Sequence, residues 1–253
     1  MGFKSANGAV LLIITVIFCA ALAAIAQSQP INIEGAAIVG SERKPADTAG
    51  LSIQAQAGNV TQLNVNGSRI TSNWQGYYGN VSGEITLDDA DSNTLYAWDL
   101  TSISGEIYAT NNSGTVLWTN ITCPDIDNVT GSSSVTGNII NASSLNQQYF
   151  ISEADEDDFN ATFQTIFSGT LEVGSRSLTG TNHCASTYLF VNNQSQTSDF
   201  QEVLLYDNQS SVVYTAILDP ATTGFDAKLW DFQMLVAQRN STVGTYYFYV
   251  ELS

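Results

Sequence analysis

Positive charge is scarce in this chain. Its 253 residues include 7 lysines and arginines against 24 aspartates and glutamates, a formal net charge of −17. A protein that neutralises a phosphate backbone needs a basic face, so nucleic acid is excluded as a partner. The same imbalance disfavours docking on an anionic lipid surface. Histidine is scarcer still: His183 is the only one. It limits imidazole chemistry to one site and, beside Cys184, reads as a polar loop residue. No Gly-x-Ser-x-Gly elbow, His-Glu-x-x-His, nucleotide loop or haem motif occurs. Gly174-Ser175-Arg176-Ser177 lacks the closing glycine. No catalytic residue, and no enzyme activity, is expected.

Cysteine is limited to Cys19, Cys123 and Cys184. Cys19 lies inside an apolar run, and Val-Ile-Phe before it lacks the small residues of a lipidation site. Cys123 and Cys184 form an even pair, which in an oxidising compartment reads as a disulfide. Neither belongs to a Cys-x-x-Cys pair, so a metal site built on them is disfavoured.

Long apolar runs are absent except for one. Ala9 to Ala26 carries no charge, and Lys4 is the only charge before it. Three readings compete for residues 1–26. Lys4, the apolar run and Ala24-Ile25-Ala26 make a signal peptide cut before Gln27. Roughly 17–25 apolar residues also suffice for an uncleaved anchor. The third is a pilin-like leader cut near Gly8, which leaves an N-terminal hydrophobic helix. All three put residues 27–253 outside the cell, secreted or held on the outer face of the membrane.

Sequons support export independently. Asn-x-Ser/Thr occurs at Asn59, Asn66, Asn80, Asn111, Asn120, Asn128, Asn141, Asn160, Asn193, Asn208 and Asn240. Chance at this serine and threonine content gives about four, so the excess marks a glycosylated surface.

After residue 50, helical periodicity nearly disappears. Short β-branched and aromatic runs alternate with Gly, Asn, Asp and Ser. Strands are predicted over 51–57, 60–65, 84–88, 94–100, 105–110 and 115–123, then over 161–167, 170–173, 187–191, 202–206, 212–218, 229–236 and 245–252. In the last, Tyr246, Phe248, Val250 and Leu252 share one face. Gly76-Tyr77-Tyr78-Gly79 reads as an aromatic loop or bulge, and Ser152 as the cap of one short helix. The fold class is all-β: one or two packed sandwiches, immunoglobulin-like or jelly-roll-like. The expected division is a spacer or loose first strand at 27–50, a first sandwich half at 51–123, a Ser/Asn/Gly-rich linker at 124–149 and a second half at 150–253.

Carboxylates remain for chemistry. Asp88, Asp89, Asp91 and Asn93 offer oxygen ligands at a calcium-loop spacing, so calcium is the candidate cofactor. Thr94 and Leu100 stand where an EF-hand needs glycine and glutamate, and a hairpin turn explains the same residues. The acids from Glu153 to Asp158 read as a solvated helix start, with a cation site as the sharper alternative. Trp74, Tyr77 and Tyr78, if exposed, could stack on sugar rings.

Several motifs together carry a resemblance. They are Trp74-Gln-Gly-Tyr-Tyr-Gly-Asn-Val-Ser-Gly, Ile85-Thr-Leu-Asp-Asp-Ala, Gly105-Glu-Ile-Tyr-Ala, Ser186-Thr-Tyr-Leu-Phe-Val-Asn, Glu202-Val-Leu-Leu-Tyr-Asp, Thr223-Gly-Phe-Asp, Trp230-Asp-Phe-Gln-Met-Leu-Val and Tyr246-Tyr-Phe-Tyr-Val-Glu-Leu. Over nearly all of residues 45–253 the chain resembles a family of archaeal exported, cell-surface, β-rich glycoproteins. That resemblance implies an exported β-protein and no assigned activity. The expected function is a structural or adhesive surface glycoprotein whose partners are other surface proteins, copies of itself or glycans. The alternatives are a carbohydrate- or calcium-dependent binding module and a carboxylate-based hydrolase.

Overall fold

The structure is a computed structural model. It describes residues 29–33, 35–45, 50, 52–100, 103–114, 116–126, 140–180, 183–209, 211–238 and 243–252. The apolar run at 9–26, with the N-terminal helix expected there, lies outside them. Among the described residues, no helix is long and apolar enough to cross a membrane.

The chain is mostly β and is built on one large antiparallel sheet. Its strands, in chain order, are β1 (Ile31–Asn32), β2 (Trp74–Gly79), β3 (Glu84–Asp88), β4 (Thr94–Asp99), β5 (Gly105–Thr110), β6 (Thr165–Ile166), β7 (Thr170–Val173), β8 (Arg176–Thr179), β9 (Ala185–Tyr188), β10 (Gln201–Tyr206), β11 (Val212–Ile217), β12 (Thr222–Thr223), β13 (Leu229–Trp230), β14 (Phe232–Ala237) and β15 (Tyr247–Leu252). Among the described residues two short helices accompany them, α1 (Ala142–Gln148) and α2 (Phe159–Thr162). The main sheet has the order β1-β15-β5-β11-β10-β9-β6.

Both faces of this sheet are covered, which explains why β10 and β11 read as nearly continuous apolar runs. On one face Leu204, Tyr206, Val212, Tyr214 and Ala216 pack with Phe248, Val250 and Leu252 of β15. The paired strands β2 and β14, together with α1 and α2, close that side through Tyr77, Met234, Val236, Leu145, Phe159 and Phe163. On the other face Tyr108, Val203, Leu205 and Val213 meet the β7–β8 hairpin and the Cys123–Cys184 disulfide. The alternation expected for the last strand is therefore what the packing uses.

Several expectations are corrected. Strands from 51–123 and 150–253 share the main sheet, with β5 between β15 and β11, and within 27–50 the loose first strand is β1, which pairs with β15. Gly76–Gly79 is no loop but part of β2. Gly79 stands opposite Phe232, whose ring would lie 3.4 Å from a Cβ there, so the aromatic covers the missing side chain. Residues 52–72 form no ladder and are almost wholly exposed, despite the predicted strands. The run 115–123 makes a 3-10 turn at Trp118–Asn120, with the Trp118 ring 5.2 Å from both Tyr108 and Tyr249. Within the supposed linker, 127–139 lie outside the described residues. Beyond them α1 forms, capped by Asn141 Oδ1, which accepts from Ser144 N at 2.8 Å. No helix starts at Ser152. Asp158 caps α2 instead, accepting from Ala161 N at 2.7 Å, and α2 takes the first residues of the predicted strand 161–167.

Candidate aromatic binding surface

Three aromatic residues converge where β2 passes the β12–β13 ribbon. Tyr78 projects from β2, and the rings of Phe225 and Trp230 approach it edge-on, each with its centroid 4.9 Å away. Tyr78 and Phe225 are exposed, as are Leu229 and Phe190; Trp230 is half-buried. Edge-to-face packing of this kind leaves ring faces free for a further partner.

The sequence holds the three rings in place through its polar residues. Gly224 lets Trp230 lie against the backbone, because a Cβ there would come within 2.5 Å of Trp230 Cδ1. Trp230 Nε1 donates to Asp226 Oδ1 at 2.8 Å, and Lys228 pairs with the same carboxylate at 3.3 Å. Desolvation opposes ionisation of Asp226, but the bonds from Trp230 and Lys228 prevail and hold its carboxyl below the usual value. Buried Gln233 accepts from Phe225 N at 2.9 Å and donates to the Phe190 carbonyl at 3.0 Å, joining two loops beneath the surface. Asp231 accepts from Val81 N and Ala221 N, both at 2.8 Å, which ties the end of β2 to the neighbouring loop. Asn192 N and Asn193 N donate to the carbonyls of Gly224 and Phe225. The sequon Asn193 therefore borders the aromatic surface, and the sequon Asn80 follows Tyr78 by two residues.

Of the three aromatics read from sequence, only Tyr78 belongs here. Trp74 packs on Phe159 and Phe163 at 5.2 and 5.9 Å, and its Nε1 donates to the Asp157 carbonyl. Tyr77 packs on Phe248, and burial raises its hydroxyl pKa. Phe225 and Trp230 were missed because 147 and 152 residues separate them from Tyr78. A Thr-Gly-Phe-Asp loop followed closely by a tryptophan was the available signal.

The acidic residues of both runs are engaged in local hydrogen bonds. Asp89 Oδ1 accepts from the amides of Asp91 and Asn93, and its Oδ2 from Asn93 Nδ2. Those bonds, Asn93's side chain first, lower its pKa. Asp88 accepts from Thr86. The segment is the turn of the β3–β4 hairpin. Among the described residues, no group of three His, Cys, Asp or Glu is placed to hold a metal ion. In the run Glu153–Asp158, Asp157 binds Thr71 and Asn73, Asp155 binds Asn73 and Ser152 N, Glu153 accepts from Ser143, and Asp158 accepts from Asn146. The run anchors the chain entering β2. His183 is half-buried, with φ at 55°.

One carboxylate pair appears that no spacing revealed. Glu106 of β5 and Glu251 of β15 are direct cross-strand partners. Gly105 permits this approach, since a Cβ there would stand 2.0 Å from the Glu251 carbonyl oxygen. Burial, then the charges of Glu251 and Glu172, raises Glu106 to about 7. Glu251 is raised by burial but is engaged by Tyr108 Oη at 3.1 Å and by Gly174 N.

Cys123 and Cys184 are bonded, with Cα atoms 4.8 Å apart. Of the sequons, Asn59, Asn66, Asn80, Asn111, Asn120, Asn141, Asn193 and Asn208 are exposed. Asn160 is half-buried, with its Oδ1 sealed from solvent and unbonded, while Asn128 and Asn240 lie outside the described residues. No family model matches the chain, and no curated or solved protein matches it either.

Proposed function

We propose that the chain is an exported, N-glycosylated adhesive or structural surface protein that contacts carbohydrate through Tyr78, Phe225 and Trp230. The observation that carries this reading is the aromatic trio, held at fixed angles by Asp226 and Gln233. Ring faces beside a polar rim suit a pyranose, whose C–H face stacks while its hydroxyls reach polar groups. The exposed sequons and the buried disulfide support export. The covered faces of the main sheet support a sandwich-type β architecture. The motif resemblance fits the same reading, as a family of archaeal surface glycoproteins. The reading includes no catalytic step.

A glycan array tests it, using the full chain and a Tyr78→Ala, Trp230→Ala double variant, each with and without EDTA. The expected result is binding to a set of glycans that EDTA leaves intact and the double variant loses. Equal binding by the variant, or none by the natural chain, would overturn the carbohydrate assignment. Loss with EDTA alone would favour a calcium-dependent module.

A further inference from the structure

The β3–β4 ribbon stands apart from the rest of the fold. Among the described residues its strands pair only with each other, and every residue in both is exposed. An isolated two-stranded ribbon is marginal in water without a cover. Its register puts Ile85 opposite Trp98 and Leu87 opposite Tyr96, so these four side chains share one face. Each is between 49 and 58% exposed, and the Tyr96 and Trp98 rings are 4.7 Å apart. The opposite face carries Glu84, Thr86, Asp88 and Asp99. The ribbon is thus amphipathic, with an uncovered apolar side and two free edges.

A second segment has the complementary defect. Residues 52–65 alternate as strands do, with Ile53, Leu63 and Val65 exposed and no ladder formed. Gln56 to Asn59 closes a turn, with Asn59 N donating to the Gln56 carbonyl at 3.3 Å and Gly58 at φ +87°. A hairpin turn is therefore present without its paired arms.

We propose that residues 52–65 of a second copy of this chain add to the β3–β4 ribbon as extra strands and cover its apolar face. Charge selects this occupant. Residues 84–99 hold five acids and no base, whereas residues 50–72 hold Arg69 and no acid, with Arg43 and Lys44 just before them. Ribbon against ribbon would bring two such acidic elements together, which like charge opposes. Area argues for added strands. Four half-exposed side chains offer on the order of 350 Å², while a stable pair buries roughly 800 Å² per partner.

Chain length favours a second copy over the chain's own segment. Thr71 and Asn73 are pinned to Asp157 at the Trp74 end of β2, and the ribbon leaves from the Gly79 end. The six residues of β2 span about 17 Å. Residues 66–71 reach at most about 21 Å at about 3.5 Å each, so Val65 could pass that span by only a few ångströms. A segment arriving from another copy carries no such constraint. The inference goes beyond the surface-protein reading and uses none of the aromatic-trio residues.

Sedimentation velocity of the full chain in detergent, over a range of protein concentrations, tests it against two variants. Leu63→Pro, Val65→Pro removes two donors from the added strand in a segment that carries no ladder in the single chain. Leu87→Asp, Trp98→Asp makes the ribbon face polar. The expected result is concentration-dependent association of the natural chain, lost in both variants while their melting temperatures stay unchanged. Association that survives Leu63→Pro, Val65→Pro would overturn the proposal. So would a monomer at every concentration; if its residues 52–65 then resist proteolysis, the segment lies on its own ribbon. The proline variant keeps Tyr78, Phe225 and Trp230, so its glycan-array profile separates failure of this inference from failure of the carbohydrate reading.

Discussion

Replacing Glu106 by glutamine should stabilise the protein at alkaline pH and change nothing at acid pH. Glu106 faces Glu251 across the β5–β15 ladder, and burial with the charges of Glu251 and Glu172 raises it to about 7. Below its ordinary value of 4.5, folded and unfolded chains both hold the proton, and the residue adds no pH dependence. Between 4.5 and about 7 the unfolded chain releases the proton while the folded chain keeps it, so stability falls as pH rises. Above 7 both states are ionised and the loss is complete. At 1.36 kcal/mol per pH unit the full gap is roughly 3 kcal/mol, and solvent at this half-buried site reduces it to about 2. Glutamine has the same shape and never ionises. With roughly 2–4 °C per kcal/mol for a domain of this size, Glu106→Gln should melt about 4–8 °C higher at pH 8 and equally at pH 4. Thermal melts followed by circular dichroism at both pH values are the assay. An equal offset at both pH values, or none at pH 8, would refute the electrostatic argument.

Three further outcomes are expected. Opening the Cys123–Cys184 bond, whose partners lie 61 residues apart, should cost about 4 kcal/mol on the chain-entropy model. A Cys123→Ser, Cys184→Ser variant that melts within 2 °C of the natural chain would contradict this estimate. Glu202 is fully buried; burial raises its pKa well above normal, and its Oε2 accepts from Leu235 N at 2.8 Å. Its carboxyl keeps the proton while the unfolded chain ionises, so Glu202→Gln should show the same alkaline-only gain, and a loss of stability at pH 8 would count against it. Calcium should leave the melting temperature unchanged, because Asp89 already accepts from Asp91 and Asn93. A rise of several degrees in millimolar calcium, abolished by Asp89→Ala, Asp91→Ala, would establish a site at this turn.

The sequence was most legible where one strand meets one core. Alternation in β15, the apolar runs of β10 and β11 and the pairing of Cys123 with Cys184 depend on local pattern or simple parity, and each corresponds to an observed element or bond. Legibility failed where a partner supplies what the local pattern lacks. The glycines of β2 look like loop residues until Phe232 and Leu235 are set opposite them. Residues 52–65 look like strands, yet they form no ladder with any described residue. The aromatic surface was one-third visible, since Tyr78 meets Phe225 and Trp230 only after the sheet has formed. Glu106 and Glu251, 145 residues apart, meet through strand register alone, which no spacing rule encodes.

Hydroxyl-radical footprinting most directly tests whether the aromatic trio is the contact surface. The full chain would be oxidised with and without a glycan bound on the array, and modification read at each aromatic residue by mass spectrometry. Protection confined to Tyr78, Phe225 and Trp230, with Tyr96 and Trp98 of the ribbon unchanged, is the expected result. Unchanged oxidation at the trio while the glycan is bound, or protection at Tyr96 and Trp98 instead, would contradict the account.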